Sequence, residues 1–475
     1  MSTSQVTGTP EATTRRRPVA AAGRPHIPPP GWTPGSWRRL PTAQQPEWPE
    51  PAAVGEVVEE LTAMPPLVLH QEADALRRDL AEVAAGRAFL LQAGDCAERF
   101  ASANEEDVRG RVGLILQLSV LLTFGGGLPV VKVGRMAGQY GKPRSSPTER
   151  VGGAEIPSYR GDIVNDPAVK GRTPDPDRMR RAYRHASVTM NLLRAVTQGG
   201  FAALSQLHAR NLEFVRRGPA AHRYRDAAED ISWALRFMSA CGAEDTGAQL
   251  APLYTSHEAL LLEYEQSLTR PGAEPGSWYD SSAHMLWAGE RTRQPDGGHI
   301  EFLSGVANPV GVKVGPSSTP GEVVELCERL DPAGVPGRLT LITRLGADRV
   351  SALLPPLVRA VRDSGREVVW SCDPMHGNTV ATGTGRKTRN LETVFAEIAG
   401  FFAVHRAEGT VPGGLHLELT DRDVTECLGG VQQLVEEQLP LRYESVCDPR
   451  LNAVQSVELA FRVAELLRRH HQVAT

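Results

Sequence analysis

Val368-Val-Trp-Ser-Cys-Asp-Pro-Met-His-Gly-Asn-Thr379 decides how this chain is read. An apolar run rich in β-branched residues stops abruptly at Asp373-Pro374, because proline has no N–H with which to continue a parallel ladder. The loop behind it offers one imidazole, His376, beside Gly377, which lets other groups approach closely. Barrels and doubly wound sheets present chemistry in this way, with a buried strand and a reactive side chain just past its C-terminal end. One loop histidine is a weak signal. The arrangement, however, recurs along the chain.

Eight apolar, mostly short runs carry it: residues 88–92, 129–133, 201–207, 283–287, 310–314, 339–343, 368–371 and 415–419. Most are continuous rather than alternating, as expected of parallel strands buried on both faces. Helical patterns separate many of them. The clearest spans residues 177–198, with Met179, Ala182, Ala186, Met190, Leu193 and Val196 on one face and Gly199-Gly200 as the stop. Strands alternating with helices predict an α/β fold, a (β/α)₈ TIM barrel, with a doubly wound sheet as the alternative. Shorter helices are expected over 53–62 and 72–85.

Between the third and fourth runs the gap is too long for one crossover, and it holds two further helical patterns, 225–240 and 255–268. A helical hairpin inserted between strands 3 and 4, about residues 211–275, is therefore expected. Residues 1–50 form a Pro- and Arg-rich N-terminal arm without apolar period, expected to be partly disordered. Trp32, Trp37 and Trp48 place its latter part on the folded body or on a neighbouring subunit. Residues 51–475 are read as a single catalytic domain.

Composition narrows the class. An apolar fraction of 41 % over 475 residues supports a large core, and a net charge of −4 argues against a general nucleic-acid binder. No stretch is read as approaching the roughly 20 apolar residues of a membrane span, and no secretory core follows Arg15-Arg16-Arg17. The expected compartment is the cytoplasm. The cysteines (Cys96, Cys241, Cys327, Cys372, Cys427, Cys447) form no CxxC pair, so a disulfide scaffold and a closed zinc knuckle are both disfavoured.

The strand ends supply Asp95-Cys96, Arg135 followed by Lys142-Pro143-Arg144-Ser145, His208, Glu290-Arg291-Thr292-Arg293, Lys313, Arg344, His376 and Glu418, with Cys447-Asp448-Pro449-Arg450 one loop beyond. On a barrel these converge on one mouth. Arg135, Lys142, Arg144, Arg291, Lys313 and Arg344 form a cationic set, and arginine forks with lysine point charges suit a substrate bearing several phosphates or carboxylates. Cys96, His376, Glu418 and Asp448 offer mixed S/N/O donors that suit a divalent metal such as Mn²⁺, Fe²⁺, Co²⁺ or Zn²⁺. Singly, Cys96 reads equally well as a core thiol, and Glu418 or Asp448 as an arginine's partner.

Together the motifs resemble a known family. Gln92-Ala-Gly-Asp-Cys96, Val133-Gly-Arg-Met-Ala-Gly-Gln-Tyr-Gly-Lys-Pro-Arg144, Ser158-Tyr-Arg-Gly-Asp162, Trp287-Ala-Gly-Glu-Arg-Thr-Arg293, Asn308-Pro-Val-Gly-Val-Lys-Val-Gly-Pro316, Cys372-Asp-Pro-Met-His-Gly-Asn378, His416-Leu-Glu-Leu-Thr420, Thr425-Glu-Cys-Leu-Gly-Gly430 and Cys447-Asp-Pro-Arg-Leu-Asn452 are similar to those of class II 3-deoxy-D-arabino-heptulosonate-7-phosphate (DAHP) synthase. The resemblance runs from about Ser36 to the C-terminus. It implies a metal-dependent barrel that condenses phosphoenolpyruvate with erythrose 4-phosphate, the first step of the shikimate route to aromatic compounds. By motif, it implies Cys96, His376, Glu418 and Asp448 as metal ligands, with Mn²⁺ or Co²⁺ favoured over Zn²⁺ and Fe²⁺. It implies Arg135, Glu290, Arg291, Lys313 and Arg344 on phosphoenolpyruvate, and Lys142, Pro143, Arg144 and Ser145 on erythrose 4-phosphate.

Lys313 and Glu290 are the candidates for acid–base work and water activation, and the cations around Lys313 are expected to lower its pKa. Cys447 abuts Asp448, which suggests that Cys96 and Cys447 form a disulfide when metal is lost. Family members are commonly homo-oligomers inhibited by aromatic amino acids. Residues 146–157 depart most from the family near the site, and the first thirty residues match nothing in it. Two other readings are a related synthase using a different phosphosugar or aminosugar, and a non-catalytic regulatory homologue.

Overall fold

The computed structural model describes residues 26–198, 204–217, 224–240 and 252–474. Eight strands close into a barrel: β1 (Phe89–Gly94), β2 (Val130–Arg135), β3 (Leu253–Glu258), β4 (Met285–Ala288), β5 (Val310–Val314), β6 (Leu339–Thr343), β7 (Val369–Cys372) and β8 (Gly414–Glu418). Every neighbouring pair is parallel, and β1 lies between β2 and β8. The fold is a (β/α)₈ barrel.

Two helices precede it, α1 (Pro51–Ala63) and α2 (His70–Ala84). Helix α2 stops up the N-terminal end of the barrel. Its Leu76, Leu80 and Val83 pack onto Leu90, Val131, Val133, Tyr254, Met285 and Val369 from inside the strands. Toward the other end the interior turns polar, and Gln92, Ser256, Lys313, His416 and Glu418 are all buried there. The molecule therefore concentrates its interior chemistry at the C-terminal rim.

After β1 comes α3 (Glu105–Gly126), started by the Asn104 side chain, which accepts from Asp107 N, and stopped by Gly127 at φ 63°. This helix is long and apolar enough for a membrane span, against expectation, but 72 % of the relevant window is buried inside the molecule. It runs beside α4 (Asp177–Gln198), α5 (Leu204–Arg217) and the C-terminal helix α12 (Ala453–Ala474). Apolarity on every side is what a helix surrounded by protein requires.

The expected third strand is corrected. Residues 204–207 of the run read as 201–207 open helix α5, where Leu207, His208, Asn211 and Val215 are buried at helical spacing. Residues 201–203 lie outside the described residues, as do residues 1–25 of the arm. The third strand is β3, whose Thr255, Ser256, His257 and Glu258 had made it read as the start of a helix. Consequently α4, α5 and α6 (Arg225–Ala240) are inserted between β2 and β3, not between strands 3 and 4. The β3–β4 connection holds only the short α7 (Leu262–Leu268) and a two-stranded hairpin, Thr269–Pro271 with Trp278–Asp280.

The remaining crossovers use α8 (Gly298–Gly305), α9 (Pro320–Leu330), α10 (Val350–Asp363) and α11 (Leu391–Glu408). The described part of the arm lies on the body. Trp32 and Trp37 are buried, and the Trp32 indole N–H donates to Glu301 O at 2.9 Å on α8.

Candidate active site

Register brings the first residues of the site together. Gly94 of β1 pairs with Arg135 of β2 on one side and with Glu418 of β8 on the other, so the ends of three strands are level. Gly94 has φ 151° and passes so close to Arg135 O that a Cβ would lie 2.6 Å from it, which sends the chain into Asp95-Cys96. A cavity of about 340 Å³ opens at this end, large enough for a small, highly charged substrate. Its lining includes Cys96, Arg135, Lys142, Pro143, Arg144, Ser145, Glu290, Arg291, Lys313, Arg344, His376 and Asp448. Glu418 lies beneath, fully buried. His208 does not join them. It sits on α5, with its Nε2 at 2.7 Å from Ser232 Oγ on α6.

One atom each of Cys96, Glu418 and Asp448 lie within 4.8 Å of one another. His376 Nε2 is 3.2 Å from Glu418 Oε1, and its Nδ1 is 2.7 Å from Asp373 Oδ2. A histidine whose far nitrogen is held by a carboxylate has its near nitrogen fixed in direction, as metal-binding histidines do. The Lys142 ammonium is 2.7 Å from Asp448 Oδ2, 3.0 Å from Cys96 Sγ and 3.8 Å from Glu418 Oε1. Three donors thus already converge on one positive charge. Sulfur, imidazole and carboxylate together fit a divalent transition ion.

The surrounding cations favour charged carboxylates. Glu418 receives Arg389 Nη1 at 2.8 Å and Arg135 Nη2 at 3.1 Å, and Lys387 Nζ reaches Asp448 Oδ1 at 2.7 Å. Burial opposes ionisation of Glu418, but His376, Lys142 and Arg389 hold it well below the usual carboxylate range. Burial likewise works against Asp448, which Lys142, aided by His376 and Arg389, holds far down. The Cys96 thiol is pushed well up, first by burial and then by a hydrogen bond with Cys447 and by Glu418. The Asp448 N–H, next in the chain to Cys447, donates to Cys96 Sγ at 3.4 Å, and both cysteines are free thiols. We expect mild oxidation of metal-stripped protein with diamide to join Cys96 to Cys447, two electrons and two protons passing to the oxidant. Peptide mapping that finds no such crosslink overturns this.

Lys313 Nζ lies 2.5 Å from Asp373 Oδ2. Its pKa is lowered to about 8, chiefly by burial, with Arg135 adding to the effect and Asp373 opposing it. The direction is the expected one, but desolvation outweighs the neighbouring cations. Arg135 donates to His416 Nε2, and His416 Nδ1–H in turn donates to Gln92 Oε1 at 2.7 Å. Burial, Lys313 and Arg135 keep His416 neutral, as an acceptor for Arg135 must be.

Several residues of this site have no site role in the sequence reading: Glu258, Lys387 and Arg389 go unnamed, and Trp287, Asp373, Thr379 and His416 appear only inside motifs. Glu258 was missed with its strand. Its Oε1 has no hydrogen-bond partner among the described residues, and the same holds for Glu290 Oε2 and Arg344 Nε on the same cavity. His416 precedes Glu418 by two positions, the spacing that puts both on one face of a strand. Arg389 gave no comparable signal.

Residues 32–464 match the family model described as the class-II DAHP synthetase family. The chain belongs to that family. A phospho-2-dehydro-3-deoxyheptonate aldolase of Streptomyces coelicolor is 51 % identical to this chain over 435 residues, 91 % of this chain and 97 % of the relative. A second, the phospho-2-dehydro-3-deoxyheptonate aldolase AroG of Mycolicibacterium smegmatis, is 50 % identical over 435 residues, 90 % of this chain and 93 % of the relative. Both relatives are covered over more than nine-tenths of their own length.

Proposed function

We propose that this chain is a 3-deoxy-7-phosphoheptulonate synthase. It condenses phosphoenolpyruvate with D-erythrose 4-phosphate and water, releasing DAHP and phosphate in the first step of the shikimate route. One observation carries the reading: in a chain of this family, seven cations line one cavity together with Cys96, His376 and Asp448, and Glu418 lies buried beneath them.

Arg135, Arg291, Lys313 and Arg344 bind the phosphate and carboxylate of phosphoenolpyruvate, and Arg135 is braced for this by Asp95 O at 3.0 Å and Cys96 O at 3.2 Å. Lys142, Arg144 and Ser145, with Pro143 stiffening their loop, hold erythrose 4-phosphate. A divalent ion held by Cys96, His376, Glu418 and Asp448, with Mn²⁺ or Co²⁺ favoured, would supply Lewis-acid polarisation of an aldehyde oxygen. C3 of the enol attacks the aldehyde carbon, water adds at C2, and phosphate leaves by C–O cleavage. Lys313 exchanges a proton at its Nζ near neutral pH, as a pKa of about 8 permits. Glu290 and Glu258 offer the unpartnered carboxylate oxygens that can take a proton from the attacking water.

The test is phosphate release from phosphoenolpyruvate with erythrose 4-phosphate and Mn²⁺, run beside a panel of other aldoses. Turnover with erythrose 4-phosphate above all others is expected. Turnover only with a different aldose would favour a related synthase, and none with any aldose a regulatory homologue. We place the reaction in the cytoplasm and the chain in a homo-oligomer, which fits the stacked Trp233 and Phe237 rings exposed on α6. Inhibition by aromatic amino acids rests on the family resemblance and is read by adding each to the same assay.

A further inference from the structure

The arm crosses the C-terminal rim at two adjacent glutamines. Gln44 Oε1 accepts the backbone N–H of Arg144 at 2.8 Å, and Gln44 O accepts from Arg160 Nη1 at 3.1 Å. Arg160 O in turn accepts Lys142 N at 2.9 Å, so both neighbours of Gln44 belong to the scaffold of the 142–145 loop. Gln45 turns to the other side. Its Nε2 donates to Leu260 O at 2.7 Å and its Oε1 accepts Leu262 N at 3.2 Å, just past Glu258 where α7 begins.

This contact is not loosely draped chain. Gln44 has φ 64°, one of three non-glycine residues with positive φ among the described residues. L side chains take that conformation rarely, and a glutamine there must be held by its contacts. Pro46 follows and bars Gln45 from helical backbone, which stiffens the crossing further. Gln44 is not part of the cavity wall, whereas Arg144 and Ser145 are.

We propose that Gln44 is a positioning residue for the acceptor substrate, acting through the Arg144 amide to set where Arg144 and Ser145 meet the acceptor's phosphate. The inference rests on the reading that residues 142–145 bind that phosphate. A free amide at position 144 lets the loop sample other arrangements, and binding then loses the fraction of time spent out of place. Phosphoenolpyruvate, clamped from the strand ends, is untouched.

The experiment compares Gln44→Ala, Gln44→Gly and Gln44→Glu in the full-length, Mn²⁺-loaded protein. Gln44→Ala is expected to raise KM for erythrose 4-phosphate about fivefold, the worth of one neutral hydrogen bond, leaving kcat and KM for phosphoenolpyruvate unchanged. Gln44→Gly takes the positive φ without strain but lacks the acceptor oxygen, so it should behave like alanine. Gln44→Glu keeps an oxygen for the Arg144 N–H and should restore KM. Hydrogen–deuterium exchange of the segment containing residues 142–146 provides a readout that needs no substrate: faster in Gln44→Ala, native in Gln44→Glu. Unchanged exchange in Gln44→Ala overturns the proposal, as does wild-type KM in Gln44→Gly, or a joint fall of kcat and both affinities in all three variants. If exchange responds while wild-type protein does not turn over erythrose 4-phosphate, the positioning contact stands and the acceptor assignment falls.

Discussion

Lys313→Met is expected to abolish phosphate release, with kcat down about a thousandfold or more, while the protein stays folded. Lys313 lies on β5 pointing into the cavity, buried, with its charge balanced against Asp373. Methionine fills nearly the same volume, so the packing loss is small. Removing one partner of a buried ion pair ordinarily costs about 3–5 kcal/mol, because the other charge is left alone. Here it is not left alone: Asp373 still accepts from Met375 N at 3.0 Å and His376 N at 3.2 Å, and keeps His376 Nδ1 at 2.7 Å. The circular dichroism spectrum and metal affinity should therefore survive while turnover does not. Product formation at the wild-type rate would remove Lys313 from the reaction.

Exhaustive chelation should silence the enzyme, and Mn²⁺ or Co²⁺ should restore it. Lewis-acid stabilisation of a few kcal/mol, say ~4 kcal/mol, corresponds to about a thousandfold in rate. The chelated protein should nevertheless remain folded. Lys142, Arg135, Arg389 and Lys387 already neutralise Glu418 and Asp448, so the carboxylates do not repel one another apart. Full activity after chelation would dismiss the metal reading, and loss of folding would show that the cations alone do not hold the rim together.

How much could be read beforehand depended on burial. Strands β5 and β6 were legible to the residue because Val310, Val312, Val314, Leu339, Leu341 and Ile342 are buried and leave short runs dominated by β-branched and aliphatic residues, broken only by Gly311, Lys313, Thr340 and Thr343. Strand β3 was not. Its inward positions serve the polar layer, and Leu260 to Leu268 extend it with a helical period, so the whole stretch resembles one helix. That single misreading displaced the inserted helices by one connection and hid Glu258. The residues flanking proline, cysteine or histidine motifs were found, because those motifs end strands. Arg389 escaped, and Asp373 was read only as the end of a strand, because their work is to hold other side chains and no spacing announces it.

The inserted helices and the 142–145 loop occupy the same connection, between β2 and β3, whereas Arg291, Lys313 and Arg344 belong to other strands. The enzyme is thereby divided into two separately adjustable parts. On the proposed assignment, changes of length or sequence between β2 and β3 bear on the acceptor substrate and leave Arg291, Lys313 and Arg344 where they are. A lineage of such proteins can diverge in its second substrate while its first stays the same.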